Sequence, residues 1–390
     1  LSGKYKLIIT DPSYAEDVQY GELSDFFYVW PRRTVGHLYG FTSLSTDKSE
    51  EIDVGGNRTE NDYWERFNIA IKRLHDSLTD DGLLVLFFAQ RRNEIWEGVV
   101  NSFIKNNLMI TMTIPISTEN ENNVIARGKR SIYYSLIITA RKRVESKTTT
   151  IEQVKEEVKN KLKERLPQLE SLYKTPGKLM LSAIGVTLEV LTQYSEIKSF
   201  NVKNTAKTAL EFAQEFLLQE LISLEWRKLN NFEPKLDPET ELYLYALLSY
   251  KGVKWDRRMD YDEFNQIAKA TGVDEDRLLE KGLIKKEKNK IILAGMQDRF
   301  DAVEELEVDS IKGSSIIDWV HRLLRDYKLK PSVVLLDKYS ATSGIPKEVL
   351  LGVIKMINYF SIGDEEWATA NKFLKAYESL KSDGVLDRFF

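Results

Sequence analysis

Cysteine is absent from this sequence, and histidine occurs only three times in 390 residues, as His37, His75 and His321. A chain without cysteine forms no disulfides, which is typical of proteins of the cytoplasm. Zinc sites are built mainly from cysteine and histidine, and these histidines lie far apart in the sequence, so we predict no metal site. No apolar stretch is long enough to cross a bilayer, and the first residues do not resemble a signal peptide. We therefore expect a cytoplasmic protein that makes no membrane contact.

An excess of positive charge is missing as well, because the formal net charge is -4 although 30% of the residues are charged. A protein with this balance does not coat DNA through bulk electrostatics, so any contact with nucleic acid must come from local basic patches. The hydrophobic fraction of 42% is that of an ordinary globular protein. A chain of this length can form two or three domains, each with its own core.

The most informative feature is an apolar run near the amino terminus that ends in four residues of a different kind, Asp11-Pro12-Ser13-Tyr14. The run predicts a buried strand, and open α/β sheets hold their ligands beyond the carboxyl ends of strands. These residue types suit methyl transfer to an amino nitrogen conjugated with a planar ring. Asp11 and the Pro12 carbonyl can accept its two N–H groups and aim its lone pair at a sulfonium methyl. Tyr14 offers a face on which a base swung out of a duplex can stack.

Two further segments extend this pattern, YGELSDFFYVWPRR at residues 20–33 and LSAIGVTLE at residues 181–189. Together with the tetrapeptide they resemble the large zinc-ribbon-containing adenine-specific DNA methylases, whose catalytic motif is Asp-Pro-Pro-Tyr. The resemblance implies transfer of a methyl group from S-adenosylmethionine to the exocyclic amine of adenine in DNA. It places Asp11, Pro12 and Tyr14 on the catalytic motif, with Asp11 and Pro12 beside the cofactor. Ser13 replaces the usual second proline, which loosens the backbone but keeps the acceptors and the ring.

The glycine-rich turn with which such enzymes bind the cofactor is not visible in this sequence. Gly55-Gly56 has no strand before it, and the stretch from Gly36 to Gly40 contains only two glycines. The zinc ribbon of the family is also missing. We therefore expect the chain to be the carboxyl-terminal part of a longer enzyme, which needs a partner chain or a missing amino-terminal segment to hold S-adenosylmethionine. Similar tetrapeptides also serve cytosine, guanine in RNA or a glutamine side chain, so the preference for adenine rests on the resemblance.

Six basic residues are candidate contacts to DNA phosphates: Arg32, Arg33, Arg91, Arg127, Lys129 and Arg130. The last three belong to a loop that begins near Glu119 and joins two predicted strands at the expected edge of the active site. Basic residues at the ends of such elements are also commonly just solvated. If they bind phosphates, reversing their charge weakens binding of all DNA sequences alike.

The segment after the tetrapeptide has two possible roles. Tyr20, Glu22 and Asp25 either line the adenine pocket or cap the helix that follows. We predict that this helix starts near Ser24 and buries three aromatic side chains, Phe26, Phe27 and Trp30. The polar stretch of residues 34–61 is long for a connection, and it is either a substrate-contacting loop or disordered.

The pattern of the chain predicts an α/β fold. We expect the catalytic part of a Rossmann-like methyltransferase sheet over residues 1–145, a helical linker region over 146–235, a winged-helix-like segment over 236–295 and a helical carboxyl-terminal region over 296–390. Apolar residues at helical or strand spacing carry the individual elements. In the first part these are helices at 63–78 and 94–106 and strands at 83–89, 108–116 and 131–140.

The winged-helix-like segment is a candidate DNA-binding domain. Its third helix, residues 274–280, is acidic, and phosphates repel acidic side chains at a recognition helix. This favours a domain that contacts protein or is purely structural over one that reads DNA. Two functions therefore remain open: an adenine-specific DNA methyltransferase, and an inactive DNA-binding or regulatory subunit of a methylation or restriction complex.

Overall fold

A computed structural model gives the structure of the protein. It describes residues 4–15, 19–55, 58–90, 92–117, 134–172, 176–199, 204–251, 255–288, 290–299, 314–360 and 363–382. The chain divides into two compact units, the first made of residues 1–172 and 178–213 and the second of residues 173–177 and 214–390. In these described ranges no helix has the length and apolar character that spanning a membrane requires.

The first unit is built on a mixed four-stranded sheet, which confirms the α/β class. Its strands are β1 (Tyr5–Thr10), β2 (Leu78–Phe88), β3 (Leu108–Ser117) and β4 (Tyr134–Lys142). They lie in the order β1-β2-β4-β3. The first two strands are parallel, and β4 is antiparallel to both of its neighbours. The predicted antiparallel pair at the end of this part is therefore confirmed.

Helices cover one face of this sheet. The first half of the unit contains α1 (Tyr20–Thr34), α2 (Gly36–Tyr39), α3 (Glu60–Ser77) and α4 (Asn93–Lys105). A capping box between Thr59 and Asp62 starts α3. The ring centroid of Phe88 in β2 lies 6.2 Å from that of Phe67 in α3 and 5.3 Å from that of Trp96 in α4. These three side chains are fully buried, so the core of this unit lies between β2 and the two helices.

The prediction that the first strand is buried is wrong. β1 is an edge strand, and Leu7 and Ile9 are 53% and 62% exposed. Ile8 and Thr10, on the side that faces the helices, are half-buried. The physical reason is that an apolar run predicts a strand but does not distinguish a central strand from an edge strand.

The second half of the first unit is helical. It contains α5 (Ile151–Leu172), α6 (Pro176–Leu191), the start of α7 (Thr205–Leu229), and a small parallel pair, β5 (Thr148–Thr150) with β6 (Glu196–Lys198). The charged sequence of residues 145–166 predicts a solvated helix or a linker between domains. Instead α5 buries one apolar stripe, Ile151, Val154, Val158 and Leu162, and continues through Pro167, where the sequence predicts a turn.

Helix α6 is bound to β3 by a buried carboxylate. Glu189, at 1% exposure, accepts hydrogen bonds from the backbone N–H of Thr113 at 2.9 Å and from its hydroxyl at 2.8 Å. Arg165 of α5 donates to the same carboxylate at 3.0 Å. Gly185 lies so close to β3 that a Cβ on it would come within 2.3 Å of the Thr113 hydroxyl oxygen. The segment 181–189 therefore has a structural role in this unit.

The second unit is helical with a small antiparallel sheet. Its elements are α8 (Pro238–Ser249), β7 (Arg258–Asp260), α9 (Tyr261–Thr271), α10 (Glu275–Glu280), β8 (Ile284–Glu287), β9 (Lys290–Leu293), α11 (Ile316–Leu329), α12 (Leu335–Ser343), α13 (Lys347–Phe360) and α14 (Glu365–Ser382). The three strands lie in the order β7-β9-β8. The carboxyl-terminal region, which the sequence predicts to be helical, contains four helices in its described residues from 314 to 382.

A buried charge network joins α8, α11 and α14. It consists of Tyr243, Arg257, Arg299, Asp318, His321 and Glu366, all with exposures of 5% or less. Arg299 donates to Nδ1 of His321 at 2.8 Å, so the ring proton is on Nε2, which lies 2.6 Å from Glu366. Arg257 forms an ion pair with Glu366. Ion pairs within this network offset part of the cost of burying its charged groups.

Candidate active site

The tetrapeptide lies where several strand ends meet. Residues 11–14 directly follow the carboxyl end of β1, and Gln90 follows the carboxyl end of the parallel strand β2. Because Phe88 pairs with Leu136, the amino end of the antiparallel strand β4 lies at the same edge. The resulting edge is the place at which α/β sheets hold ligands.

Asp11 and Tyr14 form a hydrogen-bonded pair at this edge. The Tyr14 hydroxyl donates to Oδ1 of Asp11 at 2.6 Å. Burial and, after it, the bond to Asp11 raise the pKa of Tyr14 above its usual value, so the hydroxyl keeps its proton at neutral pH. Asp11 itself is exposed to solvent, and within the described residues it forms no ion pair. Its Oδ2 and the Pro12 carbonyl therefore remain available as acceptors.

Four residues that the sequence did not predict as site residues hold this pair in place: Tyr63, Phe88, Gln90 and Trp96. The ring of Tyr14 contacts Phe88 in an edge-on geometry, with centroids 5.3 Å apart. The amide of Gln90 donates to the Tyr14 carbonyl at 3.3 Å, and Trp96 in turn donates to the Gln90 carbonyl at 3.1 Å. The hydroxyl of Tyr63 donates to the Ser13 carbonyl at 2.8 Å. Tyr63 and Trp96 belong to apolar helix faces, whose spacing predicts core packing but not these hydrogen bonds.

The backbone after the tetrapeptide has an unusual conformation. Ala15 is fully buried with φ of 68°, a left-handed value that is uncommon for alanine. Its carbonyl accepts a hydrogen bond from the Val54 N–H at 3.2 Å. The hydroxyl oxygen of Ser13 is buried and finds no partner in the described part of the chain. Such strained or unsatisfied groups occur often at functional sites, which supports assigning a function to this turn.

Helix α1 differs from the sequence expectation in two ways. It begins at Tyr20, four residues before Ser24. It buries none of its side chains, and Phe26, Phe27 and Trp30 are 66%, 66% and 60% exposed, so the prediction that they face the core is wrong. The error has a physical reason, because aromatic residues at helical spacing indicate an apolar stripe but not which surface covers it.

The three candidate pocket residues of this segment have separate surroundings. Tyr20 and Glu22 are exposed in the first turn of α1. Asp25 binds the segment that follows α2: it accepts from the Thr46 N–H at 2.7 Å and forms an ion pair with Lys48 at 2.5 Å. The hydrogen bond from Lys48 lowers the pKa of Asp25 to about 2. In this structure Asp25 therefore holds a loop in place.

The stretch of residues 34–61 is held by ion pairs in its described part. Arg58 donates to Asp53 at 2.6 Å and to Glu51 at 3.0 Å, and Asp53 is fully buried. Arg66 of α3 donates to the Ser49 carbonyl at 2.6 Å. These contacts fasten the loop beside α1, next to the candidate site.

The candidate phosphate contacts fall into two groups. Arg32 and Arg33 lie in the last turn of α1, half-buried and exposed respectively. The other four, Arg91, Arg127, Lys129 and Arg130, lie outside the described residues. The last three belong to a segment whose two flanking strand ends, Ser117 and Tyr134, pair with each other at the edge that carries Asp11.

The residues that could face a cofactor are Asp11 and Pro12, through their free acceptor oxygens. A shallow groove of about 400 Å³ lies between α3 and α4, but none of residues 11–14 lines it. The described residues contain no cluster of three or more histidines, cysteines or acids that could hold a metal ion. In comparisons with protein-family models, curated proteins and solved structures, nothing matches this chain.

Proposed function

We propose that this chain carries the catalytic part of a methyltransferase that modifies the exocyclic amine of adenine in DNA, with S-adenosylmethionine as methyl donor. The observation that carries the proposal is the arrangement at the end of β1. An exposed carboxylate, a free carbonyl and an aromatic ring lie within four residues at the carboxyl edge of an α/β sheet. The choice of adenine over other conjugated amines rests on the resemblance of the tetrapeptide and the two further segments to the adenine-specific methylases.

The residues of the site divide the chemistry between them. S-adenosylmethionine supplies a methyl group on a sulfonium, which leaves as a neutral thioether when the carbon–nitrogen bond forms. Oδ2 of Asp11 and the Pro12 carbonyl accept the two N–H groups of the amine, which localises the nitrogen lone pair for attack. The nitrogen then carries one proton too many, and the Asp11 carboxylate can take it. Tyr14 holds the purine ring by stacking.

The sheet supports a Rossmann-like assignment. The order β1-β2-β4-β3, with an antiparallel strand inserted next to the last one, matches the second half of a methyltransferase sheet. In such sheets the cofactor binds beside the strand that carries the catalytic tetrapeptide, next to its carboxyl end. We propose that a partner chain or a further segment provides that part of the pocket, because the described residues contain no glycine-rich turn after a strand.

The second candidate function is that of an inactive DNA-binding or regulatory subunit. The succession α8-β7-α9-α10-β8-β9 supports a winged-helix-like domain. One acid of α10 is engaged within the unit, since Glu275 pairs with Lys286 at 2.9 Å. Acids in this position disfavour insertion into the major groove, so we propose that this domain binds protein or has a structural role.

Replacement of Asp11 in the native host tests the enzymatic proposal. We expect Asp11→Asn to lower N6-methyladenine formation about 10²- to 10³-fold, as when one preorganised acceptor or donor is lost from an active site. The readout is the N6-methyladenine content of genomic DNA by mass spectrometry, at equal levels of the variant protein. Asp80→Asn is the matched control, since Asp80 is fully exposed at the amino end of β2, away from the site. Methylation that is unchanged in Asp11→Asn refutes the proposal.

A further inference from the structure

The second face of the four-stranded sheet is apolar and open. In the central part of the sheet, every other side chain points away from α3 and α4, and these side chains are half-buried or exposed. At the ends of β4 the same side carries Ser135, which is buried, and Arg141, which is exposed. They form what we call the open face: Leu7, Ile9, Leu83, Val85, Phe87, Met112, Ile114, Ile137 and Thr139. Thr139 is the only member with a polar side chain. A sheet that turns one face to water normally alternates apolar with polar residues, and this one does not.

The open face continues into an unpaired backbone edge. β1 is the outermost strand of the sheet, so in the described part of the chain no strand pairs with its outer side. Its side chains on the open face, Leu7 and Ile9, are among the most exposed apolar groups of the strand region. Long, apolar, unpaired edges are rare in proteins because they promote association.

The open face alone supplies about half of the area that a specific interface takes from one partner. Four strands about 4.8 Å apart and about six residues long, each rising about 3.3 Å per residue, give roughly 400 Å² for the open face. Apolar patches of this size on soluble proteins are often functional. A typical specific interface takes about 800 Å² from each partner, and pairing along β1 adds to the open face.

From these observations we propose that the open face and the edge of β1 together bind an α/β unit of a partner polypeptide, with one strand paired to β1 and a helix packed across the open face. A strand of another polypeptide can pair with the whole row of N–H and C=O groups along this edge. A second copy of this chain paired edge to edge would leave the open face uncovered, and one packed face to face would leave the edge unpaired. The continuous apolar runs of β2 and β4 are those of strands covered on both faces.

The surface argument rests on the sheet alone, whereas its link to catalysis rests on the proposed function. The added strand would run beside β1, and its carboxyl or amino end would lie next to Asp11. A partner bound there can contribute groups to the pocket that Asp11 and Pro12 begin. This deepens the proposed function, because it assigns the missing part of the cofactor pocket to a defined surface.

The test uses the affinity-tagged full chain purified from its native cells after nuclease treatment. A photo-crosslinking amino acid is placed at Ile9 or at Met112, and three variants are compared: Ile9→Lys, Met112→Lys and, as matched control, Ile69→Lys. Ile69 is 53% exposed on α3, away from the open face. Circular dichroism confirms that each variant is folded.

We expect a stoichiometric complex with one other polypeptide, with crosslinks from Ile9 to one of its strands and from Met112 to one of its helices. Ile9→Lys and Met112→Lys should each lower co-purification at least tenfold, and Ile69→Lys should not. A monomeric chain, a complex of identical chains only, a complex lost on nuclease treatment, or three variants that behave alike would overturn the proposal. If the complex forms but Asp11→Asn leaves adenine methylation unchanged, the docking surface stands and the enzymatic proposal fails. If Asp11→Asn abolishes methylation by a monomeric chain, the reverse holds.

Discussion

Mild acid should destabilise the second unit through His321. Burial lowers the pKa of this imidazole below its ordinary value of 6.5, and the neighbouring guanidinium groups of Arg299 and Arg257 oppose its protonation further, while Glu366 favours it. The unfolded chain therefore binds a proton below about pH 6.5 that the folded chain does not bind. Stability is complete above this pH and falls as the pH decreases through it.

The expected loss in the free energy of unfolding follows from the uptake of one proton by the unfolded chain. Each pH unit below 6.5 costs up to about 1.4 kcal/mol of the free energy of unfolding, the linkage value for one group. Glu366 adds to this at lower pH. Its pKa is held below the ordinary value of 4.5, because the charge of Arg257 and the hydrogen bonds from His321 and Tyr243 outweigh the effect of burial. Its contribution is therefore lost as the pH falls below 4.5. Two steps are therefore expected, one beginning near pH 6.5 and one near pH 4.5.

Urea denaturation followed by tryptophan fluorescence, at pH values from 8 to 4, measures this dependence. Trp319, in the same helix as His321, reports on the surroundings of the network. The matched variant is His321→Gln, which keeps a donor and an acceptor but does not titrate. It should abolish the step near pH 6.5 and retain the step near pH 4.5. A free energy of unfolding that is constant between pH 7 and pH 5 in the wild-type chain would refute the neutral, buried state of His321.

Two packing predictions concern the first unit. Gly98→Ala should lower the free energy of unfolding by about 1 to 2 kcal/mol, because a Cβ would lie 2.1 Å from the ring of Trp64. This cost outweighs the better helix propensity of alanine. Differential scanning calorimetry measures the effect, and a stabilised variant would contradict the close contact between the helices. Glu189→Ala should cost about 2 to 4 kcal/mol, because it leaves the N–H of Thr113 and the guanidinium of Arg165 without their acceptor; an unchanged denaturation midpoint would show that the carboxylate does not hold α6 to β3.

The spacing of apolar residues was sufficient to predict the helices and strands that bury one face. The helix predicted at residues 63–78 and that predicted at 94–106 correspond to α3 and α4 within a few residues, because their apolar spacing matches the helical repeat. A capping box also marks the start of α3. The strand pair at the end of the sheet was predictable for the same reason, since β4 alternates between buried and half-buried positions. Such elements follow from the local sequence pattern alone, without knowledge of contacts to residues distant in the chain.

The surroundings of each element were not predictable from the pattern. The apolar run of β1 and the aromatic residues of α1 were expected to be buried, and both are exposed, because burial depends on what packs against an element. Glu189 shows the opposite case: an acid within an apolar helix, buried because Thr113 and Arg165 come to it from other elements. Long-range partners of this kind leave no signal in the spacing of a single sequence.

The candidate site was also predictable only in part. Asp11, Pro12 and Tyr14 lie within four consecutive residues, so their proximity follows from the sequence alone. The groups that hold them come from residues 50 to 80 positions away, such as Tyr63 and Gln90, and their side chains are of types that occur in any helix or strand end. Only the fold identifies them.

The bond between the Tyr14 hydroxyl and Oδ1 of Asp11 has a consequence for how a substrate would be sensed. The ring on which a base would lie and the carboxylate that would receive its proton share one hydrogen atom. If a base stacked on this ring as proposed, a tilt of the ring would lengthen the bond and separate Oδ1 of Asp11 from its donor. Under the proposed function, the fit of the base and the position of the acceptor would therefore be coupled through this one hydrogen bond.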